Sequence, residues 1–548
     1  MATDSDAFLQ LSDAELAALG QIGVRRAVAA GEYLYREGDS TYDFYVMLAG
    51  TVEIVVSSDG KERVVALHGA GRFLGELNLL TGQRVFVSAR VAEPGEVIAV
   101  PRDALRRLIA TDATLSDKIL AAFLARRAML MTGAASAIRV IGSRFSPESS
   151  RVREFLARSR IPHEWSDPDA DSEVERLLQE LDIAPRDLPV VIATGAVLRR
   201  ATPGALADYL GLTIGKLPDR CFDLLVVGAG PAGLAAAMYG ASEGLRTLVL
   251  EMVAVGGQAG SSSRIENYLG FPTGISGGDL TQRATVQAQK FGASLSSPRV
   301  AVSLREETGH IVLRLSDGTD VASRAVIVAI GASYRRLDAV GLEKFESRGV
   351  YYAATELEAR SCVGSPVVVA GGGNSAGQAA LFLANAASTV TIVIRGPGVA
   401  ATMSRYLIDR IEADRRIVVR ANTRIVALEG DQSLTGVRVS GPGGEETLAS
   451  TALFSFIGAA PASDWLSGFA ALDDRGFVLT DRSLGREHLS GPWEALGRSP
   501  LPFETSHPGL FAAGDVRAGS TKRVAAAVGE GSAAVRSVHA YLAFDRHA

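Results

Sequence analysis

Phe222-Asp223-Leu224-Leu225-Val226-Val227-Gly228-Ala229-Gly230-Pro231-Ala232-Gly233 is the stretch on which the fold turns. Its first half is an apolar run suited to a strand buried on both faces. Its second half spaces glycines as G-x-G-x-x-G, and an Ala-rich helix begins at Leu234. Glycine is needed at each place for a physical reason. Gly228 allows the tight turn, Gly230 lets backbone approach a pyrophosphate, and Gly233 lets helix pack on strand. Free N–H groups and the dipole at the helix start, next to Pro231, favour the phosphates. A second apolar run, Thr247-Leu248-Val249-Leu250, ends in Glu251, where a carboxylate should meet a ribose hydroxyl. Strand, turn, helix, strand and acid in register point to a bound dinucleotide.

The pattern recurs. Ser365-Pro366-Val367-Val368-Val369-Ala370 runs into Gly371-Gly372-Gly373-Asn374-Ser375-Ala376, and the strand after the next helix ends at Arg395. An Arg at this point accommodates the 2′-phosphate of NADP, whereas an acid selects NAD. The first site reads as FAD and the second as NADPH. Gly396-Pro397 follows the base, so NADH stays open as donor.

Further motifs make the chain resemble the thioredoxin reductases. Gly256-Gly257-Gln258 and Ile265-Glu266-Asn267-Tyr268-Leu269-Gly270-Phe271-Pro272 are similar to that family's flavin-proximal segment. Ala329-Ile330-Gly331-Ala332 is similar to the strand end between the flavin and nicotinamide parts, and Pro508 to Asp515 to the motif closing the FAD site. The resemblance spans roughly residues 220 to 540. It implies that Gly257, Gln258, Asn267, Gly331, Gly514 and Asp515 contact FAD, with Lys522, Arg523 and Val524 at the flavin ring. It also implies a homodimer. The family's redox Cys-x-x-Cys would fall in Val350-Tyr351-Tyr352-Ala353-Ala354-Thr355-Glu356, where Ala353 and Glu356 take the sulfur positions and Leu357 follows. Neither residue exchanges with a disulfide. Glu356 is the one candidate catalytic residue, as an acid beside the flavin; the seven histidines are scattered along the chain.

The chain of 548 residues is too long for one domain, and 47 % hydrophobic with 21 % charged residues is a globular composition. A net charge of −5 gives no reason to expect nucleic acid or an anionic membrane as partner. No apolar span is long enough for a membrane helix, and the acidic start lacks the regions of a signal peptide. Two cysteines make no disulfide framework, no spacing suggests a metal site, and the expected compartment is the cytoplasm.

Short β-rich segments punctuated by glycine run from Gly31 to Val100, with helices expected at Asp13–Gly20 and Arg102–Met131. Gly71-Arg72-Phe73-Leu74-Gly75-Glu76-Leu77-Asn78-Leu79-Leu80 and Arg84 resemble the phosphate-binding cassette of cyclic-nucleotide-binding domains. The resemblance implies that Gly75 and Leu77 shape the pocket, Arg84 neutralises the cyclic phosphate and Glu76 accepts the ribose 2′-hydroxyl. Val85-Phe86 depart from the family's small residues, and a Phe there would obstruct the pocket.

From Ala137 to Leu210 the elements run βαβαββα, with Pro189 before the third strand. This order resembles a glutaredoxin-like thioredoxin fold. Ser146-Pro147-Glu148-Ser149 stands where that family opens its first helix with Cys-x-x-Cys, so this unit should bind or scaffold.

The expected fold is therefore multidomain: an N-terminal β jelly roll of cyclic-nucleotide-binding type with flanking helices (1–132), a small α/β thioredoxin-like domain (133–215), and two Rossmann-like α/β domains in thioredoxin reductase arrangement. These last are an FAD domain in two parts (216–338 and 457–548) around an NAD(P) domain (339–456). The leading expectation for function is an FAD-dependent NAD(P)H oxidoreductase passing electrons to an unidentified non-thiol acceptor, with a cyclic nucleotide as effector. Two alternatives stay open: a disulfide reductase using other cysteines, and a flavin- and nicotinamide-binding sensor without turnover.

Overall fold

The computed structural model describes residues 4–58, 61–132, 138–144, 146–214, 221–346, 349–431, 433–489 and 491–545. Ala137 and the linker expected beyond Ile214 lie outside the described residues. Two compact units are present. The first comprises Met1–Arg220, Ala237–Ala254 and Thr285–Val300; the second comprises Cys221–Ala236, Val255–Ala284 and Ala301–Ala548.

In the first unit, six strands make one sheet built on the long antiparallel pair Phe44–Ser58 and Ser88–Val100. The sequence suggests short separate segments, Tyr42–Leu48 and Thr51–Val56, then Val85–Val91 and Val97–Val100, in place of these two strands. Both runs are continuous because the chain absorbs its irregularities in place: the pairing shifts register between Met47 and Val52, where Gly50 adopts φ +81°. A Cβ at Gly50 would lie 2.6 Å from the Glu93 carbonyl oxygen, so only glycine fits this bulge. Phe44, Phe73 and Phe123 fill the core between sheet and helices, with ring centroids 5.4 to 6.5 Å apart. The helix expected over Arg102–Met131 is two, Arg102–Thr111 and Ala113–Thr132. Asp112 explains the break: its side chain accepts a hydrogen bond from the Leu115 N–H at 2.9 Å and caps the second helix.

Residues 138–214 form a four-stranded sheet in the order Ala196–Leu198, Val190–Ala193, Arg139–Ile141, Glu164–Ser166. The pair Arg139–Ile141 and Glu164–Ser166 is parallel and the other two pairs are antiparallel. Helices Pro147–Arg158, Ser172–Glu180 and Pro203–Leu210 each start behind a capping side chain: Ser146, Asp171 and Thr202. The Leu188–Pro189 peptide is cis. The same unit carries the parallel pair Thr247–Leu250 and Ser294–Ser296, so Glu251 follows a fully buried strand.

In the second unit Phe222–Val227 lies parallel to Asp320–Val328, which is parallel in turn to Leu510–Ala512. Ala332–Tyr334 and Ala459–Pro461 pair antiparallel where the chain leaves and re-enters this part. Between them, a five-stranded parallel sheet runs in the order Val350–Tyr351, Ala452–Ser455, Pro366–Ala370, Thr389–Val393, Ile417–Arg420. Helices Asn374–Leu383 and Arg405–Ala413 cover one face of this sheet, and the strands Arg424–Gly430 and Leu434–Gly441 pack on the other through Ile425, Leu428, Val437 and Val439.

Candidate flavin and nicotinamide sites

The first glycine turn is shaped from within. A Cβ on Gly228 would sit 2.4 Å from the Ala329 carbonyl oxygen, and one on Gly233 would sit 1.8 Å from the Gly228 carbonyl oxygen. Both positions are closed by the protein's own backbone. Gly230 differs: a Cβ there would meet only Gly257 Cα, at 3.8 Å. Gly230 thus leaves space in front of the helix Pro231–Ser242, where the N–H groups of a helix start would face an anion. The residues present fit FAD on this count.

Three segments support the cradle. Gly256 donates its N–H to the Ala229 carbonyl at 2.9 Å, and Gly257 takes φ +56° with its would-be Cβ 2.9 Å from Gly230 Cα. Gln258 donates from Nε2 to the Ala332 carbonyl, which ties this loop to the strand after Gly331. From the C-terminal side, a Cβ on Gly514 would lie 2.8 Å from Ala232 Cβ. Gly531, in the helix Val524–Asp545, would bring a Cβ within 2.0 Å of the Ala232 carbonyl oxygen. Glu530 locks the closing turn: it accepts from the Gly514 N–H at 2.7 Å and pairs with Arg517 at 2.6 Å. The sequence motifs do not single out Glu530 and Gly531, although Gly529-Glu530-Gly531 is a visible signal. Asp515 is half-buried, and burial pushes its carboxyl above the usual aspartate range. Lys522 donates to the Asp515 backbone carbonyl and lies 4.4 Å from the Phe477 ring centroid; Arg523 is exposed. Asn267 is also exposed, while Glu266 beside it pairs with Arg410 at 2.7 Å. Glu251 is 8 % exposed and accepts from the Val253 N–H through Oε1.

The second glycine turn repeats the design. A Cβ on Gly371 would lie 2.3 Å from the Phe456 carbonyl oxygen, whereas one on Gly373 would come no nearer than 4.0 Å, to the Thr402 carbonyl oxygen. The face over Gly373 is open for a second pyrophosphate. Asn374 accepts from the Ser404 N–H at 2.7 Å and Thr402 donates to the Gly372 carbonyl at 2.7 Å, so the segment after the Arg395 strand folds onto the turn. Ala376 is buried, and Ser375 and Arg395 are exposed.

In the stretch between the two turns, Tyr352 donates to Glu346 at 2.7 Å and stacks on Tyr334 at 6.5 Å between centroids. Glu346 is held in turn by Arg336. Thr355 opens the helix Glu356–Ser361, and its N–H donates to Glu358 at 2.9 Å. The Glu356 side chain lies outside the described residues. Cys362 is 1 % exposed, and burial pushes its thiol pKa up. Both cysteines are free thiols.

In the barrel, Glu76 is buried and turned onto Arg127, whose Nη2 donates to it at 2.8 Å. Arg84 donates from Nε to the Tyr209 carbonyl at 2.5 Å and from Nη1 to the Gly38 carbonyl at 2.6 Å. Gly75 and Leu77 are buried beside them. Phe86 points into the apolar cluster of Ile138, Val140, Val152 and Leu210, so it packs against the neighbouring domain. Among the described residues no His, Cys, Asp and Glu cluster could hold a metal, and no helix is long and apolar enough to cross a membrane.

Comparison with known proteins agrees with this geometry. Residues 222–531 match the pyridine nucleotide-disulphide oxidoreductase family and residues 25–112 match the cyclic nucleotide-binding domain. A thioredoxin reductase of Mycolicibacterium smegmatis is 35 % identical over 329 residues, which is 59 % of this chain and 96 % of that protein. The bifunctional thioredoxin reductase/thioredoxin of Mycobacterium leprae (strain TN) is 35 % identical over 59 % of this chain and 67 % of its own length. Among solved structures, thioredoxin reductase of T. acidophilum superposes with a TM-score of 0.53 at 27 % identity, covering 59 % of this chain and 99 % of that one. That of Lactococcus lactis in its FR conformation gives 0.52 at 26 % identity, with the same coverage. This chain belongs to the pyridine nucleotide-disulphide oxidoreductase family, as an NAD(P)H-dependent, FAD-using enzyme of thioredoxin reductase type that also carries a cyclic nucleotide-binding domain.

Proposed function

We propose that this enzyme oxidises NADPH and delivers the two electrons to an acceptor that is not a disulfide, such as a quinone, a ferredoxin-like protein, oxygen or a small dye. When bound, FAD supplies the chemistry, taking hydride from the nicotinamide and passing electrons on. The protein's part is placement. Gly230 and Gly373 open the two pyrophosphate cradles, Glu251 holds the FAD ribose and Arg395 the 2′-phosphate of NADPH, while Gln258 and Lys522 bound the flavin.

One feature supports the reading: by the resemblance, Ala353 and Glu356 stand where the redox pair would fall, and the chain has only Cys221 and Cys362 elsewhere. Cys362 is buried and its pKa is raised, which keeps it a protonated, unreactive thiol. The domain of residues 133–215 fits the same logic. Its strand order and cis Pro189 support a thioredoxin-like fold, and Ser146 and Ser149 at its sulfur positions make it a scaffold. We read residues 1–132 as a jelly roll that takes a cyclic nucleotide as effector, and the cytoplasm as the compartment.

Anaerobic titration with NADPH tests the central claim. The visible band of oxidised flavin should bleach, and turnover with a quinone should be unchanged in the Cys221→Ser, Cys362→Ser double variant. Reduction of an aromatic disulfide by the wild type that disappears in this variant would overturn it.

A further inference from the structure

The cassette of the barrel is occupied by the chain itself. Arg84 carries the charge suited to a cyclic phosphate, yet its guanidinium is satisfied by the carbonyls of Tyr209 and Gly38 and lies 4.9 Å from the Tyr209 ring centroid. Its own N–H donates to the Leu210 carbonyl at 3.0 Å. The carbonyls of Tyr209 and Leu210 are the last of the helix Pro203–Leu210, the end that bears partial negative charge. The helix stops at Gly211, φ +71°, where a Cβ would lie 2.7 Å from the Gly82 carbonyl oxygen. A small cleft lined by Arg84, Phe86, Thr194 and Tyr209 remains beside the helix end.

The same strap continues into the flavin-binding part. Ser297 donates its N–H to the Leu212 carbonyl at 3.2 Å, Ile214 donates to Ser296 Oγ at 3.0 Å, and Arg299 Nη2 donates to the Ile214 carbonyl at 3.0 Å. Ser296 and Arg299 also clamp both sides of the Glu251 peptide: Glu251 N–H donates to the Ser296 carbonyl at 3.1 Å and its carbonyl accepts from Arg299 N–H at 2.7 Å. Ser296 is 0 % exposed, so this backbone has no water to fall back on.

From this continuous chain of hydrogen bonds we infer that the end of the helix Pro203–Leu210 is a built-in ligand of the phosphate cassette, and that a cyclic nucleotide displaces it and so loosens the grip of Glu251 on FAD. The inference rests on reading the barrel as nucleotide-binding and adds the direction of regulation. The two-state element is the strap Tyr209–Ile214, seated or displaced; each ligand favours a different state, as coupling requires. Anion and helix carbonyls compete for one guanidinium, and the loser is the segment that holds Ser296, Ser297 and Arg299 in place.

Equilibrium FAD binding to the full chain, with and without saturating cAMP or cGMP, tests this. The FAD dissociation constant should rise about 10-fold with nucleotide, and the nucleotide should weaken by the same factor when FAD is bound. Gly211→Ala, whose Cβ pushes the strap off Gly82, should weaken FAD without nucleotide and tighten nucleotide binding. Arg299→Ala removes one of the three strap bonds, so it should bind nucleotide normally and weaken the coupling. If nucleotide binds the wild type and the FAD constant does not move, the relay is wrong while the nucleotide reading stands. If neither the wild type nor Gly211→Ala binds either nucleotide, both fall. The wild-type measurement decides the matter even where a variant fails to fold.

Discussion

The proposed flavin cradle and the proposed phosphate cassette differ in what they leave unfilled. At Gly228–Gly233 a Cβ on Gly228 or Gly233 would strike backbone, whereas one on Gly230 would meet only Gly257 Cα, so space remains over Gly230 in front of the helix. At Gly75–Arg84 the polar groups are already spent: Glu76 on Arg127, Arg84 on the carbonyls of Tyr209 and Gly38. Backbone N–H groups at a helix start bear only partial charge, so the turn can stand open. A guanidinium or carboxylate in a half-dry site cannot stand unpaired at acceptable cost, so the chain supplies partners until a ligand does. The first kind of site binds by filling; the second must bind by exchange.

The largest effect expected separates the two kinds of glycine within the cradle. Gly230→Ala should leave the fold intact, since its Cβ meets only Gly257 Cα at 3.8 Å, and should lower FAD affinity by about 100-fold, because the methyl enters the space of the pyrophosphate. Gly233→Ala places its Cβ 1.8 Å from a carbonyl oxygen and should cost both FAD and the fold. Thermal unfolding of the apoproteins beside flavin absorbance makes the test. Equal loss of melting temperature in the two variants would show that Gly230 is structural too.

Next comes the buried pair of the barrel. Removing one partner of a buried ion pair costs about 3–5 kcal/mol, so Arg127→Ala, which strands Glu76 at 6 % exposure, should be severe. Arg84→Ala removes a guanidinium whose acceptors are neutral backbone carbonyls, and about 1.5–3 kcal/mol is expected. Urea unfolding of the full chain followed by the fluorescence of Trp165, in the adjoining four-stranded sheet of the same unit, orders them. Should Arg84→Ala prove the costlier, the strap would be a load on stability more than an exchangeable ligand.

Much of this was legible in the chain, and the division follows sequence distance. The glycine turns were readable because every contact that demands glycine is local or falls at a strand end in fixed register, as with Gly228 and Ala329. The cassette was readable as a motif, but its state was not: Arg84 meets Tyr209 across 125 positions and Glu76 meets Arg127 across 51. Neither partner has a local signature. Phe86 stands out in the sequence as misplaced, yet its reason, packing against Val140 and Leu210, lies in another domain. The segment around Trp493 and Arg498 is tied down the same way. Arg498 pairs with the fully buried Glu504 at 2.7 Å, and Trp493 Nε1 donates to the Ser506 carbonyl at 2.6 Å. Pro and Gly advertise turns; a buried ion pair formed on folding advertises nothing.

The smallest effect tests whether the flavin cradle carries any charge under strain of its own, as the cassette does. Burial raises the Asp515 carboxyl above its usual 3.8, against the pull of Lys522. A raised acid binds its proton more tightly folded than unfolded, so stability falls as pH rises from about 3.8 through the raised value and stays lower above it. Asp515→Asn has no charge to bury. The apoprotein of this variant should match the wild type in melting temperature near pH 3 and exceed it at pH 7, while binding FAD about 10-fold more weakly for want of the carboxylate. A pH-independent difference between the two apoproteins would mean that Asp515 is well solvated, and that the cradle, unlike the cassette, holds no ionised group at its own expense.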